Sequence, residues 1–245
     1  QHIVANAPMI EEAPLYLAEC CIELADHDDA LFILQAFSEA NKNDYRPHLL
    51  AARAYTSKNQ QDTALEYLHK AYGLALDSNA VLLLIAPLYR ACQNAKAALK
   101  VYDRVLFNDP QSVEALLGQS ELLSDNGSWD GVLANCNNVI NRYPYHQRAR
   151  RLHCMALFEL KRFEEALDSA RMMACAAPES PRALEVLSQA YLETGDYHSA
   201  LMVGKHLLSQ EPESLIGLQI VAGAYHKLGQ YEQSLSVNQK LSLIH

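Results

Sequence analysis

Very few side chains of this sequence stand in an arrangement that supports catalysis. His153 and Cys154 place a base beside a thiol, but neighbours on a helix project about 100° apart and do not face each other. Cys20-Cys21 invites a redox reading, against the more ordinary one of a core thiol. His198 and His206 are eight residues apart with no third ligand nearby, short of what a zinc site needs. No HExxH, GxSxG, GxGxxG or GxxxxGK[ST] motif occurs. The reading is therefore no enzyme, no cofactor and no metal. Asn126-Gly127-Ser128 fits the glycosylation acceptor pattern by chance. Pro87 lies inside an apolar helical stretch, Ala80 to Tyr89. It has no N–H, so it kinks the helix, or it widens a surface there and frees the Leu83 carbonyl for a ligand.

The composition narrows the class further. The 245 residues are 50% hydrophobic with 9 Gly and 9 Pro, a composition that packs a core and excludes disorder and collagen-like repeats. No apolar run reaches the ~18 residues of a membrane span. The chain carries 20 Lys+Arg against 29 Asp+Glu, for a net charge of -9, which argues against a general nucleic-acid binder. Residues 11 to 44 hold nine of the acids against Lys42 alone; the remainder is nearly neutral. Six cysteines with no CxxC pair read as reduced thiols. With no signal peptide at the start, they predict a cytoplasmic location. Gln1 reads as a cut or processed end.

One period organises the chain. Pro110, Pro144, Pro178 and Pro212 recur every 34 residues, and a period of this size decides the fold. On that register repeats start at Glu11, Tyr45, Asn79, Val113, Gln147, Pro181 and Leu215. The eighth position is always small: Ala18, Ala52, Ala86, Ser120, Cys154, Ser188 and Ala222. The eleventh is apolar or aromatic: Cys21, Tyr55, Tyr89, Leu123, Leu157, Tyr191 and Tyr225. The twentieth is Ala30, Ala64, Ala98, Val132, Ala166, Ala200 and Ser234. Small columns facing bulky ones let helices interlock closely. Each repeat is a helix pair, broken at Gly127, Gly195 and Gly229 and, in a less relaxed turn without glycine, at Gln93 and Lys161. Pro8 also falls on the register, so residues 1–10 read as the tail of a truncated preceding repeat, and the chain as a segment of something longer.

Small-8, aromatic-11, Ala-20 and Pro-32 on a 34-residue period resemble the tetratricopeptide repeat (TPR) family, over residues 11 to 245. Position 32 departs from the pattern at Lys42 and Leu76, and position 20 at Val132, where the lone Trp129 predicts shifted packing. The resemblance implies an all-α solenoid of seven antiparallel helix pairs in a right-handed superhelix, whose inner surface is lined by the first helix of each repeat.

Positions 2, 5, 9 and 12 of those helices form one stripe. It opens Glu12-Leu15-Glu19-Ile22, Arg46-Leu49-Arg53-Thr56, Ala80-Leu83-Pro87-Arg90 and goes on with charges of both signs beside apolar residues. Glu114 and Glu121 interrupt any basic channel. Mixed charge with apolar anchors suits a peptide or helix of another protein. Two arginine clusters, Arg46, Arg53 and Arg90, and Arg148, Arg151 and Arg182, together with Met155, Phe158 and Gln189, are the candidate groove residues. Arginine's planar fork predicts a partner with an acidic segment. Positions 5 and 9 lack the Lys-Asn clamp of chaperone-binding TPR domains. The function expected is a protein-interaction scaffold; the alternative is a non-catalytic docking or regulatory arm of a larger enzyme. Truncated array ends also predict self-association.

Overall fold

The structure is a computed structural model describing residues 12–75 and 77–244. The tail assigned to a preceding repeat lies outside the described residues, as does the departure at Leu76. Among the described residues the chain is all-α, with fourteen helices: α1 (Ala13–Glu23), α2 (His27–Ala40), α3 (Arg46–Ser57), α4 (Gln61–Leu74), α5 (Asn79–Ala91), α6 (Ala95–Asn108), α7 (Val113–Asp125), α8 (Trp129–Arg142), α9 (Gln147–Glu159), α10 (Phe163–Ala176), α11 (Pro181–Glu193), α12 (Tyr197–Gln210), α13 (Leu215–Lys227) and α14 (Tyr231–Ile244). Two compact units divide it, residues 1–122 and 123–245.

Backbone chemistry ends each first helix in the same way. Ala25, Asn59, Gln93, Gly127, Lys161, Gly195 and Gly229 all have positive φ, between 57° and 82°, and they fall 34 residues apart. Each donates its N–H to the carbonyl three residues back, as Lys161 does to Phe158 at 3.0 Å. In six of the seven turns the next residue donates to the carbonyl five back, as Arg162 does to Leu157 at 2.8 Å. These two bonds are the Schellman cap, which satisfies carbonyls that the helix leaves over. The turn between repeats is equally regular: Ser112, His146, Ser180 and Ser214 donate to Asp109, Tyr143, Ala177 and Glu211 at 3.0–3.1 Å. Pro110, Pro144, Pro178 and Pro212 sit second in those turns, where their fixed φ is already right. Asp44 makes the same bond to Asn41 with Lys42 in the proline's place, so hydrogen bonding alone holds that turn. His146 and Ser214 then cap the helices that follow, accepting from Ala149 and Gly217 at 3.2 and 3.3 Å.

Packing follows the small columns. In the amino-terminal unit α1 packs on α2, α3 on α4 and α5 on α6, and the first helices α1, α3 and α5 also touch in sequence. In the carboxy-terminal unit the same holds for α9 with α10, α11 with α12 and α13 with α14, with α9, α11 and α13 in sequence. All seven eighth-position residues are buried, as are all seven at the twentieth, Val132 included at 0% exposure. Valine is thus accommodated in the core at that position. Tyr102 on α6 fills the space left by Gly118: a Cβ there would lie 2.3 Å from the tyrosine ring. Gly204 makes the converse pairing, with Ile220 and Val221 pressed within 2.7 Å of where a Cβ would stand. A further repeated contact sits Arg171 over Tyr191 and Lys205 over Tyr225, at 5.6 and 5.5 Å, a cation–π pair between consecutive repeats.

Candidate functional site

The amino-terminal unit presents a concave surface of about 570 Å³ on its first helices. Leu15 and Tyr16 from α1, Leu49 and Leu50 from α3, and Leu83, Leu84, Pro87 and Leu88 from α5 form an apolar floor. Glu12, Glu19, Arg46 and Arg53 stand around it. The amphipathic logic is that of any helix whose one face belongs to the core, except that these leucines extend beyond it. Leu84 is 60% exposed and Tyr16 and Leu17 are each 55%. α5 runs unbroken from Asn79 to Ala91 with Pro87 inside it. Since proline has no N–H, the Leu83 carbonyl loses its helical donor on the wall of this groove.

The charges at its rim are already engaged. Arg46 donates to Glu12 at 2.5 Å and to Asp44 at 2.8–3.1 Å. Asp44 also accepts the Arg46 backbone N–H at 2.9 Å. Burial works to raise the Asp44 pKa, and these hydrogen bonds and the guanidinium charge outweigh it to hold the carboxyl below its ordinary value. Arg53 pairs with Glu23, and with Glu19 at 3.6 Å. Arg90 pairs with Glu121 at 2.6 Å and does not line the groove. The first arginine cluster is therefore not a bare cationic patch. Stacking corresponding positions of adjacent repeats sets Arg46 against Glu12 and Arg53 against Glu19, each 34 residues away. The alternation of sign from repeat to repeat along the stripe is what brings these opposite charges together. Tyr16, Tyr45, Leu50, Leu84 and Leu88 also line the groove but lie off the 2-5-9-12 stripe.

The second cluster lies on the carboxy-terminal unit. Arg148, Arg151, Met155 and Phe158 are half-buried on α9, while Arg182 and Gln189 are exposed on α11. Among the described residues no ion pair engages Arg151 or Arg182, and Arg182 does not pair with Glu185 on the next turn of its own helix.

The candidates for covalent chemistry are held in inert forms. Burial pushes the Cys154 thiol up to about 11 and His153 down to about 4. His153 Nδ1 meets Ser169 Oγ at 3.1 Å, and Cys154 Sγ faces the Ala166 carbonyl at 3.7 Å. Ser169 also lies against the Cys154 thiol, so the two side chains meet at that hydroxyl and, among the described residues, make no direct contact. Cys20 and Cys175 are exposed, and all six thiols are free. Among the described residues no group of three metal-ligating side chains converges, and no helix is long and apolar enough to cross a membrane.

No protein-family model matches the chain, and neither does any curated protein sequence. Solved structures do. A tetratricopeptide repeat protein from Parabacteroides merdae superposes with a TM-score of 0.70 at 16% identity, over 96% of this chain and 93% of its own. PilW, described as a type IV pilus biogenesis factor, reaches 0.70 at 14% identity over 88% of this chain and 100% of its own. YrrB, a TPR protein with an unusual peptide-binding site, reaches 0.58 at 18% identity over 76% of this chain and 96% of its own. The fold is that of the tetratricopeptide repeat proteins.

Proposed function

We propose that the chain is a protein-interaction scaffold, part of a longer protein, that holds an extended peptide or a helix of a partner against its first helices. The observation that supports this most directly is the apolar floor of the amino-terminal groove. A single exposed leucine calls for no explanation, but an apolar surface drawn from three consecutive helices and shaped into a concavity marks a binding site. The ion pairs at its rim leave it polar at the edge and apolar at the centre, the anatomy of a protein interface. The description of YrrB as a peptide-binding TPR protein agrees with this use of the fold. On the carboxy-terminal unit, Arg151 and Arg182, beside Met155 and Phe158, offer a separate place for a carboxylate-bearing segment, with arginine forks for bidentate contact.

The test is peptide selection by display against the 245-residue chain, followed by calorimetry. Leu84→Glu is expected to weaken a groove-selected peptide at least tenfold with Tm unchanged, because the side chain is already largely in water. Selected peptides indifferent both to Leu84→Glu and to reversal of Arg151 and Arg182 would place binding elsewhere and refute this reading.

A further inference from the structure

A separate cleft of about 450 Å³ opens on the second helices of the amino-terminal unit, between α4 and α6. His69 and Tyr72 from α4 and Lys96 and Lys100 from α6 line it, and no carboxylate does. The two lysines are four residues apart, so they stand on one helical face. Among the described residues no hydrogen bond or ion pair engages either ammonium or the Tyr72 hydroxyl. Asn94, also in the lining, accepts the Ala97 N–H on its side-chain oxygen at 3.0 Å, which leaves its NH₂ to donate. His69 is held in place by the Tyr89 hydroxyl at 3.0 Å. Glu66 and Asp103, one turn away on the same helices, lie outside the lining, and Asp103 accepts from Gln119 at 2.8 Å. The cleft therefore offers donors and positive charge with nothing of its own to neutralise them.

The second observation is independent of that geometry and comes from the repeat. The eighteenth position falls in the first turn of each second helix, where the unpaired N–H groups favour a carboxylate. Five repeats obey this rule, with Asp28, Asp62, Asp130, Glu164 and Glu232, and the sixth has His198. The third alone places a lysine there, Lys96, and α6 has no acid in its first turn. A cation set against the local preference of its helix, on the wall of a cleft that lacks carboxylates, marks a place where stability has given way to another requirement.

We propose that this cleft binds a phosphomonoester carried on a small apolar body, its dianion between Lys96 and Lys100 and its body against Tyr72 and Val101. Two ammonium groups match the charge of a phosphomonoester at neutral pH. Lysine binds phosphate as a point charge, without the planar fork that suits a carboxylate. The Tyr72 hydroxyl and the Asn94 NH₂ supply further donors to the phosphate oxygens. The volume is within the range of small-molecule sites. The site does not depend on the groove of the first helices.

Calorimetry on the 245-residue chain with phenyl phosphate, phenol and inorganic phosphate tests the proposal. Phenyl phosphate is expected to bind at least tenfold more tightly than phenol and several-fold more tightly than inorganic phosphate. Lys96→Gln/Lys100→Gln should weaken it at least tenfold, while Lys227→Gln/Lys240→Gln, which removes the same charge from the other unit, should leave it unchanged. Lys96→Glu restores the usual acid of that position, so Tm should rise slightly while phenyl phosphate binding is lost. Binding retained in Lys96→Glu would make the lysine an ordinary solvated residue and overturn the proposal. Equal weakening by both lysine pairs would show attraction to overall charge and overturn it, as would no binding of phenyl phosphate to the parent chain. A short peptide with one phosphotyrosine separates the sources of the phosphomonoester. Tighter binding of this peptide than of phenyl phosphate, lost in Lys96→Gln/Lys100→Gln, would identify a modified side chain of a partner. Binding of phenyl phosphate without the peptide would identify a free small molecule.

Discussion

Replacing Lys161 by glycine should stabilise the carboxy-terminal unit, and replacing Gly195 by alanine should destabilise it. Both residues occupy the same position of consecutive repeats, with φ of 58° and 82°, and both donate their N–H to the carbonyl three residues back, although only at Lys161 does the next residue add the second bond of the cap. Lys161 is exposed, so truncating it removes little packing. A Cβ built on Gly195 meets nothing within 4 Å, so no clash contributes to the cost of alanine. Only backbone preference remains. Holding an L-residue in the left-handed region costs ~1–2 kcal/mol relative to glycine, and the greater freedom of an unfolded glycine gives back ~0.4–1 kcal/mol. The net effect is about 0.5–1 kcal/mol, stabilising for Lys161→Gly and destabilising for Gly195→Ala. Urea unfolding followed by Trp129 fluorescence and by circular dichroism measures both against the parent chain. Midpoints that shift in opposite directions by similar amounts support the backbone argument. Shifts in the same direction, or no loss in Gly195→Ala, would mean that side-chain contacts and not the cap geometry set the strength of these turns.

Gly118→Ala should cost about 1–3 kcal/mol, because its Cβ would overlap the Tyr102 ring; Tyr102→Leu in the same chain should recover part of the loss, and a strictly additive double variant would deny the pairing. Acidification should weaken the carboxy-terminal unit through His153, held near 4 in the folded chain against an ordinary value of 6.5. The unfolded chain takes up that proton first, so stability is full above about pH 6.5 and falls by roughly 2–3 kcal/mol as pH drops to 4. His153→Gln should flatten this part of a urea-midpoint profile against pH, and an unchanged slope would assign it to other groups. Charge reversal at Arg151 and Arg182 should leave Tm within a few degrees, since neither the half-buried Arg151 nor the exposed Arg182 is held in an ion pair among the described residues and surface charges contribute only ~0–1 kcal/mol, while capture of a carboxylate-bearing peptide falls; a large drop in Tm would make the pair structural.

The 34-residue period made the helix pairs legible because each buried column requires a small residue at one depth, and Ala18, Ala52 and Ala86 meet that need in sequence and structure alike. The caps were half legible. Glycine announced them at Gly127, Gly195 and Gly229, and the missing glycine was visible at Gln93 and Lys161, yet Ala25 adopts positive φ with nothing in its side chain to say so. There the hydrogen bonds of the cap outweigh intrinsic preference. Charges were the least legible: the alternation of sign from repeat to repeat is visible along the stripe, but which arginine meets which carboxylate depends on side-chain reach across adjacent helices. Arg46 and Arg53 resemble an anion site until Glu12 and Glu19 are stacked beside them. The leucine floor lay between these extremes: Leu15, Leu49 and Leu83 fall on the stripe, whereas Leu84 and Leu88 join it through the width of the helical face.

The docking surface proposed above lies on the first helices of the amino-terminal unit. Hydroxyl-radical footprinting of the chain, free and saturated with a selected peptide, tests it residue by residue. Protection is expected at Tyr16, Tyr45, Leu84 and Leu88, with Phe107 and Met202, both highly exposed outside this groove, unchanged. Protection of Phe107 or Met202 with Tyr16 and Leu84 still reactive would contradict it.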